Sequence, residues 1–578
     1  MRSGVMWVRV LGFVVIVLLV GCTAPPTSEK RVVRGRSALA VPEARAAEIG
    51  AAVLREGGNA VDAAVAVHFA LSVTFPVAGN IGGGGFMLIS VPGEGEFALD
   101  YRETAPAAAG PDLFLDKQGE VVEGLSLRSH LAVGVPGSVR GMWQAHQRFG
   151  RLEWRRLLAP AIELAAQGFR LDEWTAASFA RARDSFARLP ERYARVNNFA
   201  ATFHGEKGQP FVQPELAAVL RRIAEKGAQG FYEGETARLI AAEMRRGEGL
   251  ITERDLADYK AKWREPVEGE YRGYRIVSMS PPSSGGIALI EMLHIFESFD
   301  LPAWHSVQHL HLVAEIEKRV FADRAEYLGD TDFYPVPIAR LIDKDACRER
   351  GADISLEHKS APDSMAAVTL PRESLQTTHF TIVDADTMAV TNTTTLNAAY
   401  GSGLVVEGGG FLLNNEMDDF SAKPGVPNLF GVTGGEANKV ESGKRMLSSM
   451  TPTLVFDPEG RFYLALGSPG GPTIITTVFQ VISNKIDYDM PLAKAVAASR
   501  FHHQWPPRKA SADPICVESR EEYALPAELL TRLETMGYTI ETVPRLGDVQ
   551  AVGIEGGGAV GVADPRLVGR SVNLEHQP

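Results

Sequence analysis

A threonine preceded by a glutamine, deep inside the chain, is the residue with the most distinctive chemistry. Thr377 follows Gln376 and opens a short alternating stretch that runs to Val383. If the Gln376–Thr377 bond were cut, Thr377 would carry both a hydroxyl and a free α-amine, which together form a nucleophile with its own base. These residues therefore predict a precursor that cleaves itself and then acts on amide bonds as a hydrolase or acyl transferase.

Such a nucleophile needs a hydroxyl relay and an oxyanion site, and the sequence offers a candidate for each. Thr395 ends a β-branched stretch that returns after a turn at 384–386, so we expect a hairpin that brings Thr395 beside Thr377. Gly470 and Gly471 can present two backbone N–H groups with no side chain in the way. One well-placed donor stabilises a developing oxyanion by roughly 3 kcal/mol. Taken alone, a threonine that begins a strand and a glycine run in a tight turn are ordinary structural features.

Longer motifs surround these residues and carry a family resemblance. The most specific segments are Gly82–Met87, Tyr101–Pro106, Gly134–Gly137, Thr377–His379, Asn414–Ser421, Leu447–Met450, Gly467–Gly471 and Arg500–Trp505. Through them the chain, from about Arg36 to Arg566, resembles the γ-glutamyltransferases (γ-glutamyl transpeptidases, or glutathione hydrolases) of the N-terminal-nucleophile hydrolase superfamily.

The resemblance implies a reaction and a catalytic role for four residues. Thr377 would cut its own bond to Gln376 and then attack the γ-carbonyl of glutathione or a similar donor, forming a γ-glutamyl-enzyme. Thr395 would hydrogen-bond to Thr377 and help to activate it, and Gly470 and Gly471 would stabilise the oxyanion. Water, an amino acid or a dipeptide would then accept the γ-glutamyl group. The two fragments would stay associated as a large and a small subunit.

The resemblance also implies how the donor is held. Its free end is a zwitterion, which needs a cation on one side and acidic or amide acceptors on the other. The guanidinium of arginine suits a carboxylate because it can bond two oxygens at once. The implied ligands of the α-carboxylate are Arg102, Ser448 and Ser449, and those of the α-ammonium group are Asn397, Glu416 and Asp419.

Two variations distinguish this chain within the family it resembles. Position 416 is Glu, where some members have Gln, so the ammonium side of the site carries an extra negative charge. The segment at 424–431 resembles a lid loop that some bacterial members lack, and Phe430 occupies the place where an aromatic side chain often covers the pocket.

The elements that must position these residues follow a recognisable order. Asn59 can cap an Ala/Val-rich helix over residues 60–72, strands are expected at 86–89 and 97–100, and residues 136–323 read as mostly helical. Strands return from Thr377 onward. This order predicts an α+β fold, a four-layer αββα sandwich to which both subunits of the cleaved precursor contribute strands.

The N-terminus reads as a targeting segment. An apolar stretch at 10–20, too short to span a membrane, ends at Gly21 and Cys22 and resembles the bacterial lipobox. We therefore expect a lipoprotein signal peptide at 1–21, a lipidated tether at 22–36, a large subunit at 37–376 and a small subunit at 377–578. The expected location is the cell envelope, on the periplasmic face of the outer membrane in a Gram-negative source. The alternatives are an uncleaved anchor or an ordinary secretory signal.

The composition limits the kinds of partner and cofactor that we expect for this protein. The chain has 578 residues and a formal net charge of −12, which argues against a nucleic-acid partner because phosphate binding needs a basic footprint. No Cys/His spacing suggests a metal site, and we expect neither metal nor cofactor. If Cys22 is lipidated, Cys347 and Cys516 either pair in an oxidising compartment or stay as separate buried thiols.

Two alternative functions belong to different classes. The first is a related acylase of the same superfamily, such as a cephalosporin or glutaryl acylase or a poly-γ-glutamate depolymerase. The set of Arg102, Asn397, Asp419 and the two serines favours a free γ-glutamyl end instead. The second is a non-catalytic lipoprotein that binds γ-glutamyl peptides, and the presence of both Thr377 and Thr395 argues against it.

Overall fold

A hairpin in the second half of the chain fixes the position of Thr377. Residues Thr377–Val383 and Ala389–Thr395 form two antiparallel strands in a register that places Thr377 opposite Thr395. Asp384 closes the turn by accepting hydrogen bonds from the backbone N–H groups of Asp386 and Met388, both at 3.0 Å. The hairpin predicted from the alternating sequence is confirmed.

The computed structural model describes Met1 and residues 36–360, 377–505 and 513–575. The expected lipidation site Cys22 and the residue before the expected cut, Gln376, lie outside these ranges. The strands are β1 Ser37–Val41, β2 Gly84–Val91, β3 Gly95–Asp100, β4 Phe169–Arg170, β5 Pro210–Phe211, β6 Lys262–Arg264, β7 Val267–Tyr271, β8 Tyr274–Ser278, β9 Thr377–Val383, β10 Ala389–Thr395, β11 Thr453–Phe456, β12 Phe462–Gly467, β13 Phe501–His502, β14 Pro514–Glu518, β15 Thr539–Val543, β16 Gln550–Glu555, β17 Gly558–Ala563 and β18 Arg570–Leu574.

Two antiparallel sheets form the centre of the fold. A seven-stranded sheet has the order β18-β1-β9-β10-β2-β3-β6, and a six-stranded sheet has the order β17-β16-β12-β11-β8-β7. Each sheet contains strands from before and after Thr377. The sheets face each other, and hydroxyls cross between them: Thr391 donates to the carbonyl of Leu466 at 3.1 Å, and Thr381 donates to the carbonyl of Gln550 at 2.9 Å.

Some helices cover the outer face of each sheet, and others pack against those helices or lie in the connecting segments. They are α1 Ala44–Arg55, α2 Ala60–Thr74, α3 Leu125–Arg128, α4 Ser138–Phe149, α5 Trp154–Gln167, α6 Glu173–Ala187, α7 Glu191–Ala194, α8 Phe199–Thr202, α9 Pro214–Lys226, α10 Gln229–Tyr232, α11 Gly234–Arg246, α12 Glu253–Asp258, α13 Gly285–Glu297, α14 Val307–Tyr327, α15 Ile338–Leu341, α16 Lys344–Gly351, α17 Thr473–Ile486, α18 Leu492–Ala497 and α19 Ala527–Thr535. Helix α2 packs on β9 and β10, while α13 and α17 pack on the six-stranded sheet. These are the four layers of the predicted αββα sandwich.

Helix α2 shows how the sequence builds the layer beneath the nucleophile strand. Asn59 and Asp62 form a reciprocal capping box, each side chain accepting from the backbone N–H of the other residue, at 2.9 and 3.0 Å. All fifteen residues of the helix are buried. A helix that is small and apolar on nearly every face can be enclosed between a sheet and other helices.

The interpretation of residues 136–323 as mostly helical missed the five strands β4 to β8. The pair β7 and β8 forms one edge of the six-stranded sheet, and β8 pairs with β11. Strands β4 to β8 are only two to five residues long, so the alternation of buried and exposed residues, which is clear in β7, covers too few positions to stand out among the helical segments.

Further findings concern cysteines, metals and membranes. Cys347 and Cys516 are both buried, and Cys347 is a free thiol, so these two cysteines do not pair with each other, as the alternative without a disulfide expected. In the described ranges, no group of three or more His, Cys, Asp or Glu side chains is arranged to hold a metal ion. No helix in that part of the chain combines the length and the apolar character needed to cross a membrane.

Candidate active site

The two threonines predicted to work together lie side by side. The hydroxyl of Thr377 donates to Oγ1 of Thr395 over 3.4 Å, and the backbone N–H of Asn397 donates to the same oxygen at 2.8 Å. Both threonine side chains are buried. The antiparallel register of β9 and β10 is therefore what brings the second hydroxyl to the first.

The glycine-rich segment at the start of strand β2 packs against Thr395, on the edge of β10 opposite to β9. Asn80 donates to the carbonyl of Thr395 at 3.0 Å and accepts from the backbone N–H of Gly83 at 3.0 Å. A Cβ on Gly83 would lie 2.0 Å from the Thr395 carbonyl oxygen, which no side chain can tolerate. The glycine run that marked the family resemblance thus lets β2 approach the active hairpin closely.

Gly470 and Gly471 lead into helix α17. Both have positive φ values, +138° and +58°, which favour glycine. Among the described residues, neither of their backbone N–H groups donates to a protein acceptor. The N-terminus of a helix carries partial positive charge, so two amides here suit an anionic oxygen.

One cleft gathers nearly all of the residues predicted for the site. It is narrow, with a cavity volume of about 20 Å³. Of the predicted catalytic and binding residues, only Gly470 is not among its lining residues, and Gly470 adjoins Gly471, which is. The predicted members of the lining are Arg102, Thr377, Thr395, Asn397, Glu416, Asp419, Ser448, Ser449 and Gly471.

Arg102 stands among three carboxyl groups. One guanidinium nitrogen donates to Asp419 at 2.6 Å, another forms a close ion pair with Glu416, and Glu103 lies 3.8 Å away. The Arg102 side chain is fully buried. A surface salt bridge between Arg102 and Glu103, the simplest alternative for this pair, does not describe this geometry.

The charges in this cluster influence one another. Burial opposes the charge on Arg102, but the carboxylates of Glu416 and Asp419 outweigh it and raise the pKa of Arg102. Burial raises the pKa of Glu416 and of Asp419, and it raises the pKa of Glu103 to about 8. A single guanidinium cannot fully balance three buried carboxylates, so part of this acidic set holds a proton at neutral pH.

Ser448 and Ser449 are held by the loop that precedes helix α13. The backbone N–H of Ser284 donates to the carbonyl of Ser448 at 2.8 Å, and the N–H of Ser448 donates to the carbonyl of Pro282 at 2.9 Å. The hydroxyl of Ser283 donates to the carbonyl of Met450 at 2.6 Å. The Pro-Pro-Ser-Ser-Gly-Gly loop seen in the sequence therefore supports one wall of the cleft.

Comparison with known proteins now identifies the family. A family model described as gamma-glutamyltranspeptidase matches residues 46–574. The chain belongs to the gamma-glutamyltranspeptidase family.

Similar proteins support this family assignment. A glutathione hydrolase proenzyme of Pseudomonas aeruginosa is 48% identical over 548 residues, covering 94% of this chain and 95% of the relative. A glutathione hydrolase proenzyme of Escherichia coli is 45% identical over 536 residues, covering 91% of this chain and 90% of the relative. The crystal structure of a cephalosporin acylase from Bacillus halodurans superposes with a TM-score of 0.81 at 25% identity, covering 97% of this chain and all of that one.

The gamma-glutamyltranspeptidase motifs did not indicate every residue of the cleft. The structure adds Arg324, Asn428, Phe430, Val432, Met450 and Ile474. Phe430 was expected from the lid resemblance. Asn428 belongs to the same lid-like segment, Met450 ends the motif Leu447–Met450, and Ile474 lies three residues after the motif Gly467–Gly471. Arg324 lies on helix α14 with no motif around it, and no sequence signal pointed to it.

The segment at 424–432 lies over this cleft of the gamma-glutamyltranspeptidase fold. Asn428 donates to Asp419 at 2.9 Å, and the backbone N–H of Leu429 donates to Asp418 at 2.9 Å. Gln504 donates to the carbonyl of Gly431 at 3.2 Å. A Cβ on Gly471 would lie 2.7 Å from the ring of Phe430, so this aromatic side chain sits directly against the oxyanion candidate.

Proposed function

We propose that this chain is a self-cleaving γ-glutamyltransferase and glutathione hydrolase. The observation that carries the proposal is the Thr377–Thr395 hydroxyl pair, which shares one cleft with a buried guanidinium and acidic side chains. The proposed nucleophile therefore lies next to the charged groups that can bind a zwitterion. The names of the Pseudomonas aeruginosa and Escherichia coli relatives support the same activity.

Maturation begins with Thr377. Its hydroxyl attacks the carbonyl carbon of Gln376, the peptide C–N bond breaks, and an ester joins Gln376 to the Thr377 oxygen. Water hydrolyses the ester, which leaves a carboxylate on Gln376 and a free α-amine on Thr377. That amine is the base which the uncut chain lacks.

Turnover repeats the same chemistry on the donor. The α-amine takes the proton of the Thr377 hydroxyl as its oxygen attacks the γ-carbonyl carbon, and the N–H groups of Gly470 and Gly471 stabilise the oxyanion. The amide bond then breaks, and the departing amine receives the proton. Water or an acceptor amine attacks the resulting γ-glutamyl ester, releasing glutamate or a new γ-glutamyl amide and restoring Thr377.

The donor's free end determines selectivity. Arg102, Ser448 and Ser449 bind its α-carboxylate, while Asn397, Glu416 and Asp419 bind its α-ammonium group. The Arg102 cluster suits this task because it holds opposite charges in contact, which matches the two charges of a zwitterion.

The Thr377→Ala variant tests the proposal. It should remain a single band on a denaturing gel and should release no product from a γ-glutamyl anilide, whereas the wild type gives two bands and turns over. Thr377→Ser keeps a hydroxyl and should retain part of both activities. Thr378→Ala is the matched control, because the Thr378 hydroxyl is buried without a hydrogen-bond partner in the described residues and should be dispensable.

A related acylase is the second candidate, and the likeness to the cephalosporin acylase favours it. A glutaryl anilide differs from a γ-glutamyl anilide only by lacking the α-amine. Turnover of the glutaryl compound alone would favour the acylase. A non-catalytic γ-glutamyl-peptide-binding lipoprotein would instead stay one band in the wild type, and Thr377→Ala would change nothing.

We also propose that the mature protein is a lipoprotein of the cell envelope, in a Gram-negative source on the periplasmic face of the outer membrane. The support is the apolar stretch at 10–20 followed by Gly21 and Cys22. Intact-mass measurement of the purified protein reports lipidation of Cys22 and the cut before Thr377 together. An unmodified N-terminus at Met1 would contradict the anchor, and it would leave the enzymatic proposal untouched.

A further inference from the structure

A second buried arginine enters the cleft from helix α14. Arg324 lies in the last turn of this helix and is 6% exposed. Its Nε donates to the hydroxyl oxygen of Ser284 at 2.9 Å, and one of its terminal nitrogens donates to the hydroxyl oxygen of Ser449 at 3.2 Å. The guanidinium is thus fixed in orientation by two serines, and it lines the same cleft as Thr377.

Arg324 differs from Arg102 in its electrostatic surroundings. Arg102 is in contact with carboxyl groups, whereas Arg324 makes no ion pair with any carboxylate of the described residues. Burial lowers the pKa of Arg324 to about 10, which leaves it charged at neutral pH. The cleft therefore contains one cation in contact with carboxylates and one whose hydrogen bonds go to hydroxyls, while Asp419 attracts this second cation from beyond ion-pair distance.

The hydroxyl contacts of Arg324 also determine which way Ser449 can donate. Because Ser449 Oγ accepts a hydrogen bond from Arg324, its own hydrogen must point elsewhere, and it has no acceptor in the described residues. Ser284 behaves differently, since its hydroxyl donates back to the carbonyl of Ser448 at 2.6 Å. Arg324 thus orients Ser449 as a donor and braces the neighbouring backbone.

We propose that Arg324, with Ser449, binds the donor's α-carboxylate beside Arg102 and determines specificity for donors that carry this group. This inference rests on the proposed function. A buried cation without a carboxylate in contact is costly, and an incoming carboxylate would supply that contact. Arg102, whose charge is already shared among carboxyls, has less to gain from a further anion.

Three anilide donors separate the role of the carboxylate from other effects. The γ-glutamyl anilide carries the α-carboxylate and α-amine, the glutaryl anilide carries only the carboxylate, and the 4-aminobutyryl anilide carries only the amine. We would measure kcat/KM for all three with the wild type, Arg324→Gln and Arg324→Lys, at enzyme concentrations that quantify the poorest donor. Arg348→Gln, on an exposed arginine of helix α16, is the control.

With Arg324→Gln, we expect kcat/KM to fall roughly ten- to hundred-fold for the γ-glutamyl and glutaryl donors. The value for the 4-aminobutyryl donor should stay within about twofold of the wild type. Arg324→Lys retains the charge without the fork-shaped donor set, so its losses should be smaller and confined to the same two donors. Self-cleavage into two bands serves as the folding check for each variant.

Two results would overturn the inference. An equal loss on all three donors would make Arg324 a purely structural residue, and no loss on any would leave carboxylate recognition to Arg102. Failure of the proposed function is distinguishable, because the wild type would then turn over the glutaryl donor but not the γ-glutamyl one. Even in that case, a selective loss of glutaryl turnover in Arg324→Gln supports a carboxylate-binding Arg324.

Discussion

Single residues in this cleft are shielded from water. Thr377 and Thr395 are buried, and Arg102 is completely enclosed. In such surroundings a hydroxyl or a charge interacts more strongly with its neighbours than it would in water. Replacing one of these side chains should therefore have a measurable and specific effect.

Thr395→Val removes the hydroxyl beside the nucleophile at almost constant volume. We expect kcat to fall about 10- to 100-fold with little change in KM, because one hydrogen bond to the reacting oxygen is lost. Steady-state kinetics with a γ-glutamyl anilide measures both values. Thr395→Ser, which keeps the hydroxyl, should stay near the wild type, and wild-type kcat in the valine variant would remove Thr395 from the mechanism.

Arg102→Ala should weaken the fold as well as donor binding. It leaves Glu416 and Asp419 buried without their counterion, at a cost of about 3–5 kcal/mol. Urea unfolding measures this loss in the free energy of unfolding. Arg151→Ala removes an exposed pair with Asp386 and should cost about 0–1 kcal/mol. Both variants are made in the Thr377→Ala background, which stays uncut, so that a single chain unfolds. Equal unfolding midpoints for the two variants would contradict the buried ion pair.

Glu103→Gln should alter how stability depends on pH. Burial raises the pKa of Glu103 from 4.5 to about 8. A group whose pKa is raised in the folded state contributes stability that is present below pH 4.5 and lost as pH rises through about 8. The free energy of unfolding of the wild type should therefore fall across this range, and that of Glu103→Gln should fall less.

The same Thr377→Ala background and urea unfolding from pH 5 to 8 serve for this measurement. Glu94→Gln, in an exposed turn, is the control and should follow the wild-type profile. Parallel profiles for Glu103→Gln and the wild type would mean that Glu103 is ionised throughout this range.

At the scale of elements, the nucleophile strand depends on distant partners. Strand β9 lies between β10, its hairpin partner, and β1, which is the first strand of the chain. Strand β1 pairs in turn with β18 near the other end of the chain. Residues 37–41 are therefore part of the support of Thr377 although more than 300 positions separate them.

Truncation at the N-terminus should reveal this dependence. A chain that begins at Arg36 keeps β1 and should cleave itself and turn over substrate at the wild-type rate. A chain that begins after Val41 loses β1 and exposes the edges of β9 and β18. We expect it to remain uncut and to be degraded rapidly by added protease. Normal self-cleavage without β1 would show that the hairpin is positioned by β10 and β2 alone.

At the scale of the whole molecule, the predicted cut does not fall between domains. The seven-stranded sheet combines β1, β2, β3 and β6 from before Thr377 with β9, β10 and β18, and the six-stranded sheet combines β7 and β8 with later strands. The cut would break one peptide bond and none of the sheet hydrogen bonds. The two fragments should therefore behave as a single folding unit.

The mature protein should elute as one species in gel filtration and separate into two chains only under denaturing conditions. Thermal unfolding followed by far-ultraviolet and near-ultraviolet circular dichroism should give one coincident transition, because each sheet needs strands from both fragments. The uncut Thr377→Ala variant is the control for size. Separate elution of the two chains in native buffer would contradict the shared sheets.

The sequence by itself determined the local structure around Thr377 and the family to which the chain belongs. The hairpin at Thr377, the capped helix after Asn59 and the glycine run at 82–85 each depend on neighbours a few positions apart, whose periodicity and turn chemistry are legible in one dimension. The family motifs supplied the remaining catalytic candidates. The αββα layering followed from the order of helices and strands.

Only the tertiary structure decided which distant side chains meet. Arg102 pairs with Glu416 across 314 positions, β7 and β8 join a sheet built largely from later strands, and Arg324 reaches the cleft from a helix with no motif. The physical reason is that an ion pair or a cleft depends on distance in space. Strand order and helix packing determine that distance, and it cannot be predicted from the local periodicity of the sequence.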